Sequence, residues 1–297
     1  MNLRSAVTLL RCRARTTALR LPLVWMRHTV LQSTDAFVAS YPRSGNTWAR
    51  FLLCEALTGN DAEFGSVAAT LPPLRLRGRA PAVLPNGGRL FRTHEYYHCV
   101  YRKAIYFVRD PRDVAVSNYE FERLNPHLRE KSFDDFLRLY LKGKVNSFGT
   151  WRGHIHSWLD SHLAASSNFL LIRYEDMRED TERELTRMVQ FLGFAVDPER
   201  IRTIVADNRL ERMSQKEDRF QGRSPEDRAV SEAGRQVRTR SAGGWRSRLT
   251  PEQAALIEHH AGELMARLGY KSGLDYHPAV VRPILAKAAL SDADIAS

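Results

Sequence analysis

Residues 37–48 read FVASYPRSGNTW, and the chain continues through residues 49–57 as ARFLLCEAL. A short apolar run therefore leads into a turn marked by Pro42 and Gly45. The apolar residues beyond the turn have the spacing of a buried helix. The pattern predicts a strand, a loop and a helix in that order.

The loop has the composition of an anion site. The first turn of a helix has unpaired N–H groups and the positive end of the helix dipole, so an anion bound there is stabilised by the backbone. Arg43, Ser44 and Thr47 add side-chain donors at the same place. An ordinary strand–turn–helix connection with an Asn or Ser cap is the alternative interpretation.

The loop is not that of a nucleoside triphosphatase, because that motif needs two spaced glycines and a closing Gly-Lys-Ser/Thr. The run YPRSGNTW at residues 41–48 instead resembles the phosphosulfate-binding loop of the sulfotransferases that use 3′-phosphoadenosine 5′-phosphosulfate (PAPS). Arg43 stands where the family usually has Lys, which keeps the charge and loses the compact ammonium. The resemblance implies a three-layer α/β fold like that of P-loop NTPases, with a central parallel sheet flanked by helices. It also implies a set of cofactor-binding residues in this loop: Arg43, Ser44, Gly45, Asn46, Thr47 and Trp48.

Composition limits the remaining possibilities. A chain of 297 residues with 43% hydrophobic content is long enough for one good-sized α/β domain. The net charge of +11 favours a polyanionic cofactor, nucleic acid or an anionic membrane surface as partner. Three cysteines without a CxxC spacing argue against a disulfide framework and a zinc site, and favour a reducing compartment.

The chain begins with a basic segment. Residues 1–34 contain six arginines and no acidic residue. Such starts occur in organelle transit peptides and in helices that lie on anionic membranes, and a plain basic leader is the other interpretation. We predict a leader at 1–34, a sulfotransferase domain at 35–274 and a tail at 275–297. We expect a cytoplasmic protein, with peripheral membrane contact or organelle import left open.

A second strand, predicted within residues 89–95 (RLFRTHE), ends in polar residues, where α/β sheets place their chemistry. A single His at such a point is more often a surface or capping residue. Arg92-Thr93-His94 nevertheless resembles the Lys-Thr-His run of the same family, in which the His takes the acceptor's proton. The resemblance implies that His94 is the base, with Glu95 as a second candidate, and that Arg43 and Arg92 stabilise charge on the transferred group.

The third strand leads into the run VRDPRDVAVS at residues 108–117. Arg109 and Ser117 are eight residues apart, at the strand end and about two turns into a helix, so both can face one phosphate. The run resembles the family's 3′-phosphate-binding segment. Asp110 is either the cap of that helix or a metal-binding Asp, and we favour the cap because the preceding Arg would repel a metal. No metal is expected.

Two further segments concern the adenine. Residues 168–177 (NFLLIRYEDM) contain the family's Tyr-Glu-Asp, whose Tyr contacts the adenine, and this implies Tyr174. Leu210 stands where the family has a stacking aromatic residue, so Trp48 is expected to supply the stacking, worth about 0.5–1.5 kcal/mol.

The polar stretch at 214–239 is predicted to be a loop that acts as a lid over bound cofactor. It leads into RTRSAGGWR at residues 238–246, which resembles the family's C-terminal 3′-phosphate motif. This resemblance implies that Arg238, Thr239 and Arg240 bind the cofactor. The dimerisation pattern of many family members is not matched, so the oligomeric state is left open.

Together these motifs predict a PAPS-dependent sulfotransferase that acts on a hydroxyl or amine of a small-molecule or glycan acceptor and binds no nucleic acid. One alternative is a P-loop kinase, which would need a Gly-Lys-Ser/Thr and a Mg²⁺-binding acid. Another is a non-enzymatic, Arg-rich protein that binds nucleotide or nucleic acid and would be indifferent to His94.

Overall fold

The computed structural model describes residues 28, 30–74, 80–123, 128–221 and 242–272. The predictions for Arg238, Thr239 and Arg240, for most of the leader and for the tail therefore lie outside the described residues.

A parallel sheet of four strands forms the centre of the described chain. The strands are β1 (Ala36–Ser40), β2 (Leu90–Thr93), β3 (Ala104–Val108) and β4 (Phe169–Arg173). They lie in the order β2-β1-β3-β4, and every neighbouring pair is parallel. The three strands that the sequence analysis predicted are all present, and β4 ends directly before Tyr174.

Helices cover both faces of this sheet. In chain order they are α1 (Asn46–Thr58), α2 (Phe64–Thr70), α3 (Pro111–Glu122), α4 (Phe133–Leu141), α5 (Trp151–Leu159), α6 (Tyr174–Glu179), α7 (Thr181–Phe191), α8 (Pro198–Asp207), α9 (Leu210–Gln221), α10 (Pro251–Ala261) and α11 (Glu263–Arg267), with a short 3₁₀ helix at Gly244–Ser247.

Alternation along the strands creates two separate cores. Ala36 and Val38 of β1 face the core that includes α1, α7 and α8, whereas Phe37 and Ala39 face the core that includes α3, α4, α5 and α10. Strands buried on both faces are typical of a parallel sheet between two helical layers. The predicted three-layer α/β fold is confirmed.

The helix boundaries follow local chemistry. Asp110 is the N-cap of α3, as predicted, and its carboxylate accepts a hydrogen bond from the Arg112 N–H at 2.9 Å. Thr250 caps α10, which ends at Gly262 with φ 54° instead of continuing into α11. The prediction of a loop from residue 214 was wrong for residues 214–221, because they continue α9.

The strand order indicates where a ligand site is expected. From β1 the chain moves outward to β2 on one side and later to β3 on the other, so β1 and β3 meet at a topological switch point. Ligands of α/β proteins bind in the crevice beyond the carboxyl ends of strands at such a point. The loops that follow β1 and β3 are the ones in which the sequence predicts phosphate-binding residues.

A matched pair of glycine substitutions tests the loop after β1. Gly45 has φ 95°, and a Cβ on it would lie 2.6 Å from a ring carbon of Tyr174, whereas Gly65 in α2 has open space around it. We expect Gly45→Ala to destabilise the fold by about 1–3 kcal/mol, through backbone strain and overpacking. Gly65→Ala should stabilise it by up to about 1 kcal/mol. Urea unfolding midpoints of the two variants measure this, and equal effects would show that the Gly45 conformation is not required.

Candidate active site

The loop between β1 and α1 keeps backbone donors available. Gly45 is the N-cap of α1 and provides no side-chain cap for the N–H groups of the first turn. The Ser44 hydroxyl is buried and has no hydrogen-bond partner in the described part of the chain. A buried hydroxyl without a partner costs about 1–3 kcal/mol. An anion at this helix N-terminus would accept hydrogen bonds from both sets of donors.

The ring of Tyr174 covers one side of this loop. Tyr174 is the first residue of α6 and approaches Gly45 so closely that no Cβ would fit between them. The Arg109 guanidinium lies 4.3 Å from the centre of the same ring. Arg109 also donates a hydrogen bond from Nη1 to the Arg43 carbonyl at 3.3 Å. The ring thus holds Arg109 beside the loop.

Arg43 connects the loop to α3. It is the only non-glycine residue with positive φ, at 71°, in the described ranges. Its Nε donates a hydrogen bond to the Ser117 hydroxyl at 3.0 Å, and its guanidinium lies 4.9 Å from the centre of the Phe121 ring. Strained backbone of this kind costs about 1–3 kcal/mol and is concentrated at functional sites. Arg109 and Ser117, predicted to act as a pair, are therefore brought together through Arg43.

The residues predicted to contact adenine lie side by side. Trp48 is 6% exposed, and its ring centre is 6.3 Å from that of Tyr174. The Trp48 indole N–H donates a hydrogen bond to the Asn208 carbonyl at 2.7 Å, which fixes the ring plane. Trp48, Tyr174 and Leu210 all line one cavity.

His94 follows β2 and reaches the end of β1. Its Nδ1 lies 2.8 Å from the Ser40 carbonyl oxygen, so we assign the ring proton to Nδ1, which donates to that carbonyl. The Nε2 lone pair is then available to accept a proton. The His94 ring meets the edge of Phe148 at a centre-to-centre distance of 5.6 Å.

Burial lowers the pKa of His94 to about 4. The hydrogen bond to Ser40 opposes this shift, whereas the guanidiniums of Arg92, Arg50 and Arg43 lower the pKa further. His94 is therefore neutral at pH 7.

Arg50 contributes buried positive charge beneath the site. It lies one turn beyond Asn46 in α1 and is 8% exposed. Burial lowers the pKa of Arg50 to about 9, and the neighbouring Arg92 acts in the same direction. Within the described residues its Nε has no hydrogen-bond partner.

The outer wall of the cavity comes from the end of α3 and the connection from α4 to α5. It includes Phe121, Glu122, Asn146 and Phe148. Burial raises the pKa of the Glu122 carboxyl to about 7, and the Arg43 guanidinium opposes that shift.

Asp113 joins the predicted C-terminal motif to α3. Its carboxylate accepts hydrogen bonds from the Gly243 N–H at 2.8 Å and the Trp245 N–H at 2.9 Å. The Arg112 guanidinium lies 4.0 Å from the centre of the Trp245 ring. The described part of this motif, at Gly243 and Trp245, is therefore fixed against the helix that carries Ser117.

These elements surround one cavity of about 470 Å³, a size that suits a cofactor and a small ligand. The predicted site residues in its lining are Arg43, Gly45, Asn46, Thr47, Trp48, Arg92, His94, Arg109, Ser117 and Tyr174. Ser44 and Glu95 are not among the residues that line it.

Sequence reasoning missed several residues of the site. Asp113 could have been found, because it lies in the first turn of the helix that follows Arg109. The other missed residues carry no local pattern, since only the folded chain brings Ser40 and Phe148 to His94 and brings Glu122 and Asn146 to the same cavity.

The described residues contain neither a metal-type cluster nor a helix suited to span a membrane. No group of three or more His, Cys, Asp or Glu side chains there has the arrangement of a metal site. No described helix combines the length and the apolar composition needed to span a membrane.

The chain is similar to known proteins over most of its length. The family model of the sulfotransferase domain matches residues 33–269. Human sulfotransferase 2A1 is 28% identical over 257 residues, which cover 80% of this chain and 87% of that protein. Human sulfotransferase 2B1 is 30% identical over 201 residues, which cover 62% of this chain and 53% of that protein.

Solved structures agree at the level of the fold. Mouse sulfotransferase SULT7A1 complexed with PAP (3′-phosphoadenosine 5′-phosphate) has a TM-score of 0.57 at 23% identity, with 85% of this chain and 88% of that chain covered. Retinol dehydratase in a complex with retinol and PAP has a TM-score of 0.58 at 22% identity, with 83% and 84% covered. The domain match spans well over half of the sequence, so this chain belongs to the PAPS-dependent sulfotransferase family and is an enzyme of that class.

Proposed function

We propose that this enzyme transfers the sulfuryl group of PAPS in line to a hydroxyl, or an amine, of a small-molecule acceptor, with His94 as general base. One observation carries the proposal. A single cavity unites the uncapped N-terminus of α1, the Arg109–Arg43–Ser117 cluster and a neutral His94.

The residues fit the cofactor. The Ser44 hydroxyl and the first-turn N–H groups of α1 offer donors to the phosphosulfate, since a phosphate suits a helix N-terminus. Arg109 and Ser117 would hold the 3′-phosphate, together with Arg238, Thr239 and Arg240 from outside the described residues. Trp48 and Tyr174 would contact the adenine.

PAPS supplies an activated sulfuryl group and leaves as PAP. His94 Nε2 takes the acceptor's proton while the acceptor oxygen bonds to sulfur and the bond from sulfur to the phosphate oxygen breaks. Arg43 and Arg92 stabilise the negative charge on the transferred group and on the departing phosphate oxygen. The Ser40 carbonyl keeps the His94 ring oriented, with the proton on Nδ1.

The cavity supports an acceptor of modest size with an apolar part. Phe121 and Phe148 contribute two aromatic rings on the His94 side. Among the similar structures, retinol dehydratase was solved with androsterone and with retinol. A small alcohol or phenol is therefore the acceptor class we propose, and a glycan is less well matched. A cytoplasmic location and membrane contact of the leader stay predictions.

Loss of the Arg109 charge should weaken cofactor binding. We expect Arg109→Ala to lower the affinity for PAP by at least about tenfold, because charge-assisted hydrogen bonds to a phosphate are lost. Calorimetric titration at fixed salt measures this. Arg129→Ala is the matched control, since Arg129 is exposed outside the cavity. Unchanged PAP affinity in Arg109→Ala, or equally tight binding of ATP with Mg²⁺, would refute the assigned 3′-phosphate site.

Removal of the base should slow transfer and leave PAP affinity nearly intact. We expect His94→Gln to lower kcat by about 10²–10⁴-fold, the usual contribution of a general base. Glu95→Gln tests the second candidate and should retain most activity, and exposed His162→Gln is the control. A larger loss in Glu95→Gln than in His94→Gln would reassign the base.

The pH profile provides a separate test of His94. Because the pKa of His94 is about 4, below the usual 6.5, the free enzyme keeps its base form as pH falls from 8 to 5. In the profile of kcat/KM against pH, the acidic limb that reports His94 should fall only as pH drops through about 4. Anionic cofactor counters the surrounding guanidiniums, so the acidic limb of kcat should lie at a higher pH than that of kcat/KM. Coincident limbs would contradict this coupling.

A further inference from the structure

Glu122 places a carboxyl group in a cavity that suits a polyanion. It is the last residue of α3 and lines the cavity with Phe121 and Phe148. Burial raises the pKa of this carboxyl to about 7, and Arg43 is the charged neighbour that opposes the shift. In the described parts of the chain, Glu122 makes neither a hydrogen bond nor an ion pair within 4 Å.

An ionised carboxylate at this position is unfavourable when the cofactor is bound. The cofactor carries several negative charges, and like charges at short range in a partly buried site repel each other. Arg43, the cation near Glu122, is needed for the phosphosulfate. An ionised Glu122 would then require a positive group from elsewhere, and the acceptor is the remaining ligand that could supply it.

The surroundings of Glu122 suit a cation. The Arg43 guanidinium already lies over the Phe121 ring at 4.9 Å, which shows that this ring face accepts positive charge. Phe148 is held in place by Asn146, whose Oδ1 accepts a hydrogen bond from the Phe148 N–H at 2.9 Å. Asn146 Nδ2 in turn donates to the Tyr41 hydroxyl at 3.4 Å. A carboxyl group and aromatic rings that line the same cavity are a composition that suits an ammonium group.

We propose that Glu122 binds a protonated amine of the acceptor, so that the preferred acceptors are small molecules with both a hydroxyl and an ammonium group. The inference rests on the proposed function, because it concerns the acceptor of that transfer. Arg50 would argue for an anionic acceptor instead, but Arg50 is not part of the cavity lining, whereas Glu122 is.

Matched acceptors test the proposal. Tyramine, 4-ethylphenol and 3-(4-hydroxyphenyl)propanoate share a phenol and differ in the charge at the other end. The pairs 6-amino-1-hexanol and 1-hexanol extend the comparison to aliphatic alcohols. Two measurements are made for each compound: kcat/KM for sulfation, and affinity for the enzyme loaded with PAP, by calorimetry.

We expect the wild-type enzyme to favour the ammonium member of a pair by about tenfold or more in kcat/KM and in affinity, as a charge-assisted contact provides. Glu122→Gln, which keeps the volume, should abolish that preference and leave PAP affinity equal or higher. Glu122→Lys should shift the preference toward the propanoate. Glu130→Gln, at an exposed position outside the cavity, is the control and should behave as wild type.

The outcomes distinguish a failure of this inference from a failure of the proposed function. If PAP does not bind, the proposed function itself is overturned. If PAP binds and the neutral or anionic members bind as well as the ammonium members, or no ammonium member binds, this inference alone is overturned. A preference for ammonium that survives in Glu122→Gln would also overturn it, since the selectivity would then come from another group.

Discussion

Positive charge gathered where β1, β2 and β3 end is the constraint on which the rest of the site depends. Arg50 shows it most clearly, because its guanidinium is 8% exposed and burial lowers its pKa to about 9. Arg112 offers the contrast. It is more deeply buried, at 2% exposed, and it pairs with Asp110 at 2.7 Å and Glu258 at 2.6 Å, as a structural arginine should. Within the described residues Arg50 has no such carboxylate partner, so its charge is left for a bound anion to balance.

Two acidic residues near these loops, Asp113 and Glu175, accept hydrogen bonds from neutral groups and not from Arg50. Asp113 accepts hydrogen bonds from the backbone N–H groups of Gly243 and Trp245. Glu175 accepts one from the Asp110 N–H at 3.0 Å and one from the Tyr270 hydroxyl at 2.9 Å. These carboxylates fix the loops after β3 and β4 through neutral donors. Neither accepts a hydrogen bond from Arg50, so the charge on that arginine is left in place, whereas Asp113 lies near enough to Arg109 to interact with its charge.

The strand–loop–helix pattern after residue 36 predicted the fold because local chemistry specifies it. Short stretches of sequence were enough to predict the apolar strands, the Asp110 cap and the motif at 108–117. Each of them lies where it was predicted. The proposed base is a different case. His94 could be named from its resemblance, but its tautomer depends on the Ser40 carbonyl and its low pKa on burial beside Arg50, and these are tertiary contacts without a sequence signal. The loop predicted from residue 214 failed because Met213 and Lys216 are buried against other helices, so tertiary packing outweighed a polar composition.

The same constraint links the cofactor to the base. In the free enzyme, burial and three guanidiniums depress the pKa of His94 to about 4, which makes it a weak proton acceptor. Any anion that fits among Arg43 and Arg92 must raise that pKa, because it removes part of the repulsion felt by the imidazolium. Cofactor binding would therefore strengthen His94 as the proposed base when a sulfuryl group becomes available. An acceptor that arrives alone meets a His94 with little capacity to take its proton, and this favours chemistry in the loaded enzyme only.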